Sequence, residues 1–182
     1  ANTASQQVYE ANQDITSKYR YTATLDSRTS PICRALDGQE FEYGKGPTPP
    51  QHFNCRSTTV PVIDYEALGF SPPKPGKRAA QGGMVPSNQS YGQWLSNQSK
   101  EVKADVLGPE KVPYFNRLAK KYGPTDAIRK FVREDGSELS LEQLRRRYPN
   151  GSTAKYVSVY APRGRCPCVL PAQKTGVEKE NR

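Results

Sequence analysis

Residues 21–60 read YTATLDSRTSPICRALDGQEFEYGKGPTPPQHFNCRSTTV. This stretch holds the only His of the protein, His52, and two of its four Cys, Cys33 and Cys55, together with Asp26, Arg28, Asp37 and Arg56. Asp37-Gly38, Gly44, Gly46, Pro47, Pro49 and Pro50 make it the richest part of the chain in turn chemistry. Turns on a rigid scaffold can aim several side chains at one point, so a site is expected here. Tyr21 to Leu25 alternates aromatic and β-branched residues in strand fashion. Ser30-Pro31 suits a helix start, and Asp37-Gly38 stops that helix after one or two turns. Gln39 to Tyr43 and Ser57 to Ile63 read as two more strands. The predicted product is a small, irregular α+β unit with little core of its own.

Cys33, His52 and Cys55 are the candidate metal ligands, because thiolate and imidazole are donors that zinc accepts in tetrahedral geometry. His52-x-x-Cys55 brings two donors from one turn, and Cys33 closes the set from a distance. The C-x18-H-x2-C spacing is not a standard zinc-finger pattern and supplies three donors. A carboxylate, Asp26 or Asp37, is the expected fourth, with Asp26 preferred. The role expected of such zinc is a structural staple for a thin core. The plain alternative makes Cys33 a small buried hydrophobe and gives His52 a hydrogen bond to a carboxylate such as Asp26. Asp26 and Arg28 also admit structural roles, with Asp26 capping the turn after a strand and Arg28 pairing with Asp26 or Asp37.

The order D-x-R-T-x-x-x-C-x-x-x-D-G, a Pro-rich turn, then P-P-x-H-x-N-C-R-S, resembles the head morphogenesis domain of tailed phages, the Mu F-like family of minor head (minor capsid) proteins. A weaker likeness continues downstream, where Tyr91, Trp94, Leu95, Gln98, Leu107, Gly108, Leu139, Leu141 and Leu144 fit the family's Y-x-x-W-L-x-x-Q, L-G and L-x-L-x-x-L-R segments. The resemblance implies a virion protein that associates with portal protein or major capsid protein during assembly in the host cytoplasm. Its final place would be inside the capsid or near the portal, within reach of packaged double-stranded DNA.

Outward from the central unit, residues 1–20 form a helical lead-in, with Val8, Ile15 and Tyr19 on one narrow stripe. Residues 64–88 change composition. Ser71-Pro72-Pro73-Lys74-Pro75-Gly76-Lys77-Arg78 cannot continue a helix, and Gln81-Gly82-Gly83 adds freedom, so an extended linker is expected. Residues 89–150 read as a short helical unit. It comprises a Ser90-capped helix running to Leu107, a second from Lys111 to Lys121, a third from Asp126 to Arg133, and a Ser140 capping box. Trp94 is read as packing. Residues 151–182 are an extended tail with Cys166-Pro167-Cys168, a spacing that suits a shared metal or two free thiols better than a disulfide between them.

The formal net charge of +9, from 27 Lys+Arg against 18 Asp+Glu, favours contact with a polyanion. Lys74, Lys77 and Arg78 are the candidate nucleic-acid contacts, although no RNA-binding or helix-turn-helix signature accompanies them. No apolar run spans a bilayer and no signal-peptide pattern opens the chain. The sequence begins Ala-Asn-Thr without an initiator Met, as a processed chain or a piece of something longer would. Clustered Cys without secretory features point to a reducing compartment and to metal rather than disulfides. The expectation is a non-enzymatic structural protein that needs no small-molecule substrate and no membrane. Two other classes stay open, an HNH-like metal-dependent nuclease using His52 and a basic DNA-binding module.

Overall fold

The computed structural model describes residues 2–149 and is an α+β fold of seven helices and five strands among them. Helix α1 (Asn2–Ala11) leads into a three-stranded antiparallel sheet of order β2-β1-β3. Its strands are β1 (Lys18–Thr22), β2 (Glu40–Glu42) and β3 (Thr58–Val62). Tyr19 stands opposite Phe41 on one side and Pro61 on the other, which fixes the register across all three strands. Tyr19 and Tyr21 are fully buried, while Lys18 on the opposite face is exposed. This inward Tyr alternation starts the strand at Lys18, so the helical lead-in ends well short of residue 20. Gln6 of α1 accepts a 3.1 Å bond from the Thr59 hydroxyl and docks that helix on the sheet.

Helix α2 (Pro31–Leu36) packs across β1, and Tyr21, Ala23, Cys33 and Leu36 form one small core cluster. A larger cluster joins Leu25 to the helical half, through Tyr91, Trp94, Leu95, Phe115, Phe131 and Leu144. That half contains α3 (Tyr91–Ser96), α4 (Lys100–Leu107), α5 (Val112–Tyr122), α6 (Pro124–Arg129) and α7 (Leu141–Arg147). The helix expected to run unbroken to Leu107 is two helices, because Ser99 accepts from the Val102 N–H and starts a new one. α6 stops before residue 133 because 131–133 turns back on 137–139: Leu139 N–H bonds Phe131 O, and Arg133 N–H bonds Ser137 O. The capping box at Ser140–Gln143 is formed, and Ser90–Gln93 makes a second one.

Within 64–88 the chain pairs with itself, as a hairpin of β4 (Lys77–Ala80) and β5 (Gly83–Pro86). Gly82 and Gly83 take positive φ at its turn, where a side chain would be strained. The hairpin leans on the first unit through a parallel bridge between Leu25 and Ala80 and a 2.7 Å bond from Gln81 N–H to Leu25 O.

Asp37 ties these pieces together. Its fully buried carboxylate accepts from Ala23 N–H (2.7 Å), Tyr91 N–H (2.7 Å) and the Arg78 guanidinium (3.0 Å). One side chain thereby links the end of β1, the start of α3 and β4. Arg78 also donates to Ala23 O and, at 3.2 Å, to Gln89 O. Burial pushes the Asp37 pKa up, against the lowering pull of Arg78 and the two backbone donors. Arg34, likewise buried, reaches Val106 O at 2.8 Å, and Tyr91 Oη donates to Asp26 O at 2.8 Å. Among the described residues no buried side-chain polar atom lacks a hydrogen-bond partner.

Candidate metal centre

The loop between β2 and β3 delivers two donors from one turn. Asn54 adopts φ 58°, a left-handed conformation that Asn tolerates, and Cys55 N–H bonds His52 O at 3.2 Å. The turn faces Cys33 of α2, and the Tyr21 hydroxyl lies beside both sulfurs. Cys33 Sγ lies 3.7 Å from Cys55 Sγ and 3.3 Å from His52 Nε2, and the three donor atoms are all within 4.8 Å of one another. Cys33 is buried, whereas His52 and Cys55 are half-buried.

These separations fit a tetrahedral metal. Zn–S of about 2.3 Å and Zn–N of about 2.0 Å give tetrahedral edges of about 3.8 Å between sulfurs and about 3.5 Å between sulfur and nitrogen. The imidazole tautomer fits as well. Nδ1 lies 2.8 Å from Phe53 O, which can only accept, so Nδ1 carries the proton and Nε2 presents its lone pair to the cluster. A ligand His held by a backbone carbonyl in this way has its ring orientation fixed.

Ser30 sits at the N-cap position of α2 but makes no capping bond. Its hydroxyl instead lies 2.8 Å from His52 Nε2 and donates to that lone pair. An N-cap bond of this kind stabilises a helix by about 1 kcal/mol, so the diversion favours the cluster at the helix's expense. The two thiols differ. Burial pushes Cys33 up, opposed by hydrogen bonds from Ser30, Ser57 and Tyr21. At Cys55 burial acts the same way, but backbone donors at Gln51 and Ser57, the Ser57 hydroxyl and the Cys33 thiol bring the pKa down to about 6. The two sulfurs are thus pushed in opposite directions, Cys33 up by burial and Cys55 down by its hydrogen-bond donors.

Asp26 lies in a different set of contacts. Arg56 grips both its oxygens, at 2.5 and 2.8 Å, while Arg28 N–H and the Thr29 hydroxyl each bond Oδ1 at 3.0 Å. The D-x-R-T segment is thus a turn capped by its own Asp, with Arg56 as the partner. Arg56 holds the Asp26 carboxyl below the usual carboxylate range. Asp37 belongs to the buried junction described above. Among the candidate nucleic-acid residues, Lys74 and Lys77 are exposed, and Arg78 faces inward onto Asp37. The Cys166-Pro167-Cys168 segment and the tail lie outside the described residues. No helix among the described residues is long and apolar enough to cross a membrane.

Sequence reading missed Tyr21, Ser30 and Ser57 as members of the site. Ser30 looked like a cap because it precedes Pro31, and Tyr21 like ordinary strand filling. The available signal was a Tyr at an inward strand position, whose hydroxyl needs a buried partner.

The sequence model of the family described as Phage Mu protein F like protein matches residues 1–60, a span that contains all three donors. An uncharacterized protein of Haemophilus influenzae is 41% identical over 51 residues, which make up 26% of this chain and 11% of that protein. The match therefore takes in only about a tenth of that relative's length. No solved structure matches. Over residues 1–60, a third of its length, the chain is thus similar to the family described as Phage Mu protein F like protein.

Proposed function

We propose that this chain is a structural minor head protein of a tailed bacteriophage, acting in head morphogenesis by binding portal or major capsid protein inside the virion. The observation that carries the reading is the family match over residues 1–60. Members of that family are generally structural rather than enzymatic. The protein assembles in the host cytoplasm and stays in the particle. Its surplus of 9 positive charges and the exposed Lys74 and Lys77 are compatible with packaged double-stranded DNA nearby.

Within this reading, zinc held by Cys33, His52 and Cys55 supplies a structural cross-link between α2 and the β2–β3 loop. Asp26, both of whose oxygens are held by Arg56, is not one of the donors gathered within 4.8 Å, so the fourth position falls to a donor outside this set. Both imidazole nitrogens are engaged, Nδ1 by Phe53 O and Nε2 by the cluster, which supports a ligand role over that of a nuclease base.

Two measurements test the proposal. Affinity capture of assembling particles should bring portal or capsid protein down with the chain, and particles built without it should be defective. Normal particles in its absence would refute the head-assembly role. Elemental analysis should find one zinc per wild-type chain and none in Cys55→Ser. Metal absent from both would refute the cross-link.

A further inference from the structure

We propose that Tyr21 is the outer-sphere partner of this centre. Its hydroxyl donates to the Cys33 sulfur, and secondarily to that of Cys55, and fixes their donor strength toward a soft divalent cation. The inference rests on the metal reading above. It starts from a contrast among three fully buried tyrosines. Tyr19 Oη donates to Pro47 O at 3.2 Å and Tyr91 Oη to Asp26 O at 2.8 Å, both ordinary carbonyl acceptors. Tyr21 Oη instead lies 3.3 Å from Cys33 Sγ and 3.9 Å from Cys55 Sγ, with the Ser57 hydroxyl beside it.

A neutral thiol is a weak acceptor, while a thiolate is a strong one. A phenol committed to sulfur is therefore matched to the metal-bound state of the cluster. Packing alone does not require the hydroxyl, because a Phe ring would fill the same space against Ala23, Cys33 and Leu36. Full burial holds the ring, and the sheet holds the backbone that carries it. Tyr21 N–H bonds Gln39 O and Tyr21 O accepts from Gly38 N–H, each at 2.8 Å, in the central strand of the sheet. The two sulfurs also differ in need. Cys55 has backbone donors at Gln51 and Ser57 in addition to the Ser57 hydroxyl, whereas Cys33 relies on side-chain hydroxyls, of which Ser30 is shared with His52 and Ser57 with Cys55. Binding a cation at His52 Nε2 displaces the Ser30 hydroxyl from that lone pair, and Tyr21 remains fixed beside the Cys33 sulfur.

The experiment is a cobalt(II) titration of the full chain, with zinc then competed against a chelator, for wild type, Tyr21→Phe and Cys55→Ser. Circular dichroism checks that each variant is folded. Tyr21→Phe should keep the fold but bind both metals about 10- to 100-fold more weakly. Its sulfur-to-cobalt charge-transfer band should move to lower energy, because a thiolate without a hydrogen-bond donor gives up charge more easily. Equal affinity and an unmoved band in Tyr21→Phe would overturn the inference while leaving the metal reading intact. A wild-type chain that takes up neither metal would overturn both.

Discussion

Removing the Asp37 carboxylate should loosen the whole molecule, since three separate segments meet on it. In Asp37→Ala the N–H groups of Ala23 and Tyr91 lose their acceptor, and Arg78, whose side chain is 13% exposed, loses its counter-charge. A buried donor left unsatisfied costs about 1–3 kcal/mol. Breaking a buried ion pair from one side costs about 3–5 kcal/mol. These overlap rather than add, because Arg78 keeps its bonds to Ala23 O and Gln89 O, so the expected loss is about 4 kcal/mol. Against a total of about 5–15 kcal/mol for an ordinary domain, that is a large fraction. With a urea slope of about 2 kcal/mol/M, the unfolding midpoint should fall by about 2 M. The double variant Asp37→Ala/Arg78→Ala should lose less than the sum of the two single variants, because neither charge is then stranded. A midpoint shift below about 0.3 M for Asp37→Ala would refute the claim that this carboxylate holds the two halves in register.

Three further outcomes follow from the same contacts. Gly92 lies where a Cβ would come 2.1 Å from the Pro124 carbonyl oxygen, so Gly92→Ala should force α3 off the start of α6 at about 1–3 kcal/mol. A thermal melt reads this, and an unchanged Tm would contradict the close approach. Asp26 is held below its ordinary pKa by Arg56, so its share of stability is present above the normal carboxylate value and is lost as pH falls through the folded one. Arg56→Gln should therefore flatten the acid limb of stability below about pH 4. The effect is modest, about 1 kcal/mol or less because Arg56 is partly exposed, and urea unfolding across a pH series measures it. Chelation of the zinc-loaded chain should raise amide hydrogen exchange in residues 44–57 while protection in α3, α5 and α6 persists. Uniform loss of protection would mean that the metal holds the entire fold.

Some of this was written plainly in the chain. The α+β class and the convergence of Cys33, His52 and Cys55 follow from local turn chemistry and from donor types, both of which survive without knowledge of the tertiary fold. The Ser90 cap and the Ser140 capping box are likewise local. The junction was not legible. Asp37 next to Gly38 looks like a helix stop, and Arg78 sits in a run of Lys and Pro that looks like solvated charge. Their meeting depends on a hairpin whose four-residue strands carry little periodicity. Nor does anything local mark Arg34 as buried, although three carbonyls surround its guanidinium.

The distribution of apolar contacts decides what a metal could contribute. The larger cluster spans Leu25 and the helical half and needs no donor from the centre, while the smaller one has four buried members, with Cys33 itself among them. The loop carrying His52 and Cys55 touches the body through scattered polar contacts, including Tyr19 Oη to Pro47 O, Thr24 Oγ1 to Arg56 O and the Arg56–Asp26 pair. A cross-link from Cys33 to His52 closes a segment comparable to one for which chain entropy gives about 3 kcal/mol. That is enough to order a loop, and too little to replace the burial of Trp94, Phe115, Phe131 and their neighbours. A clasp of this size therefore fixes the shape of a surface rather than the existence of the fold. Such a role would suit the proposed head-assembly function, in which that surface meets an assembling shell.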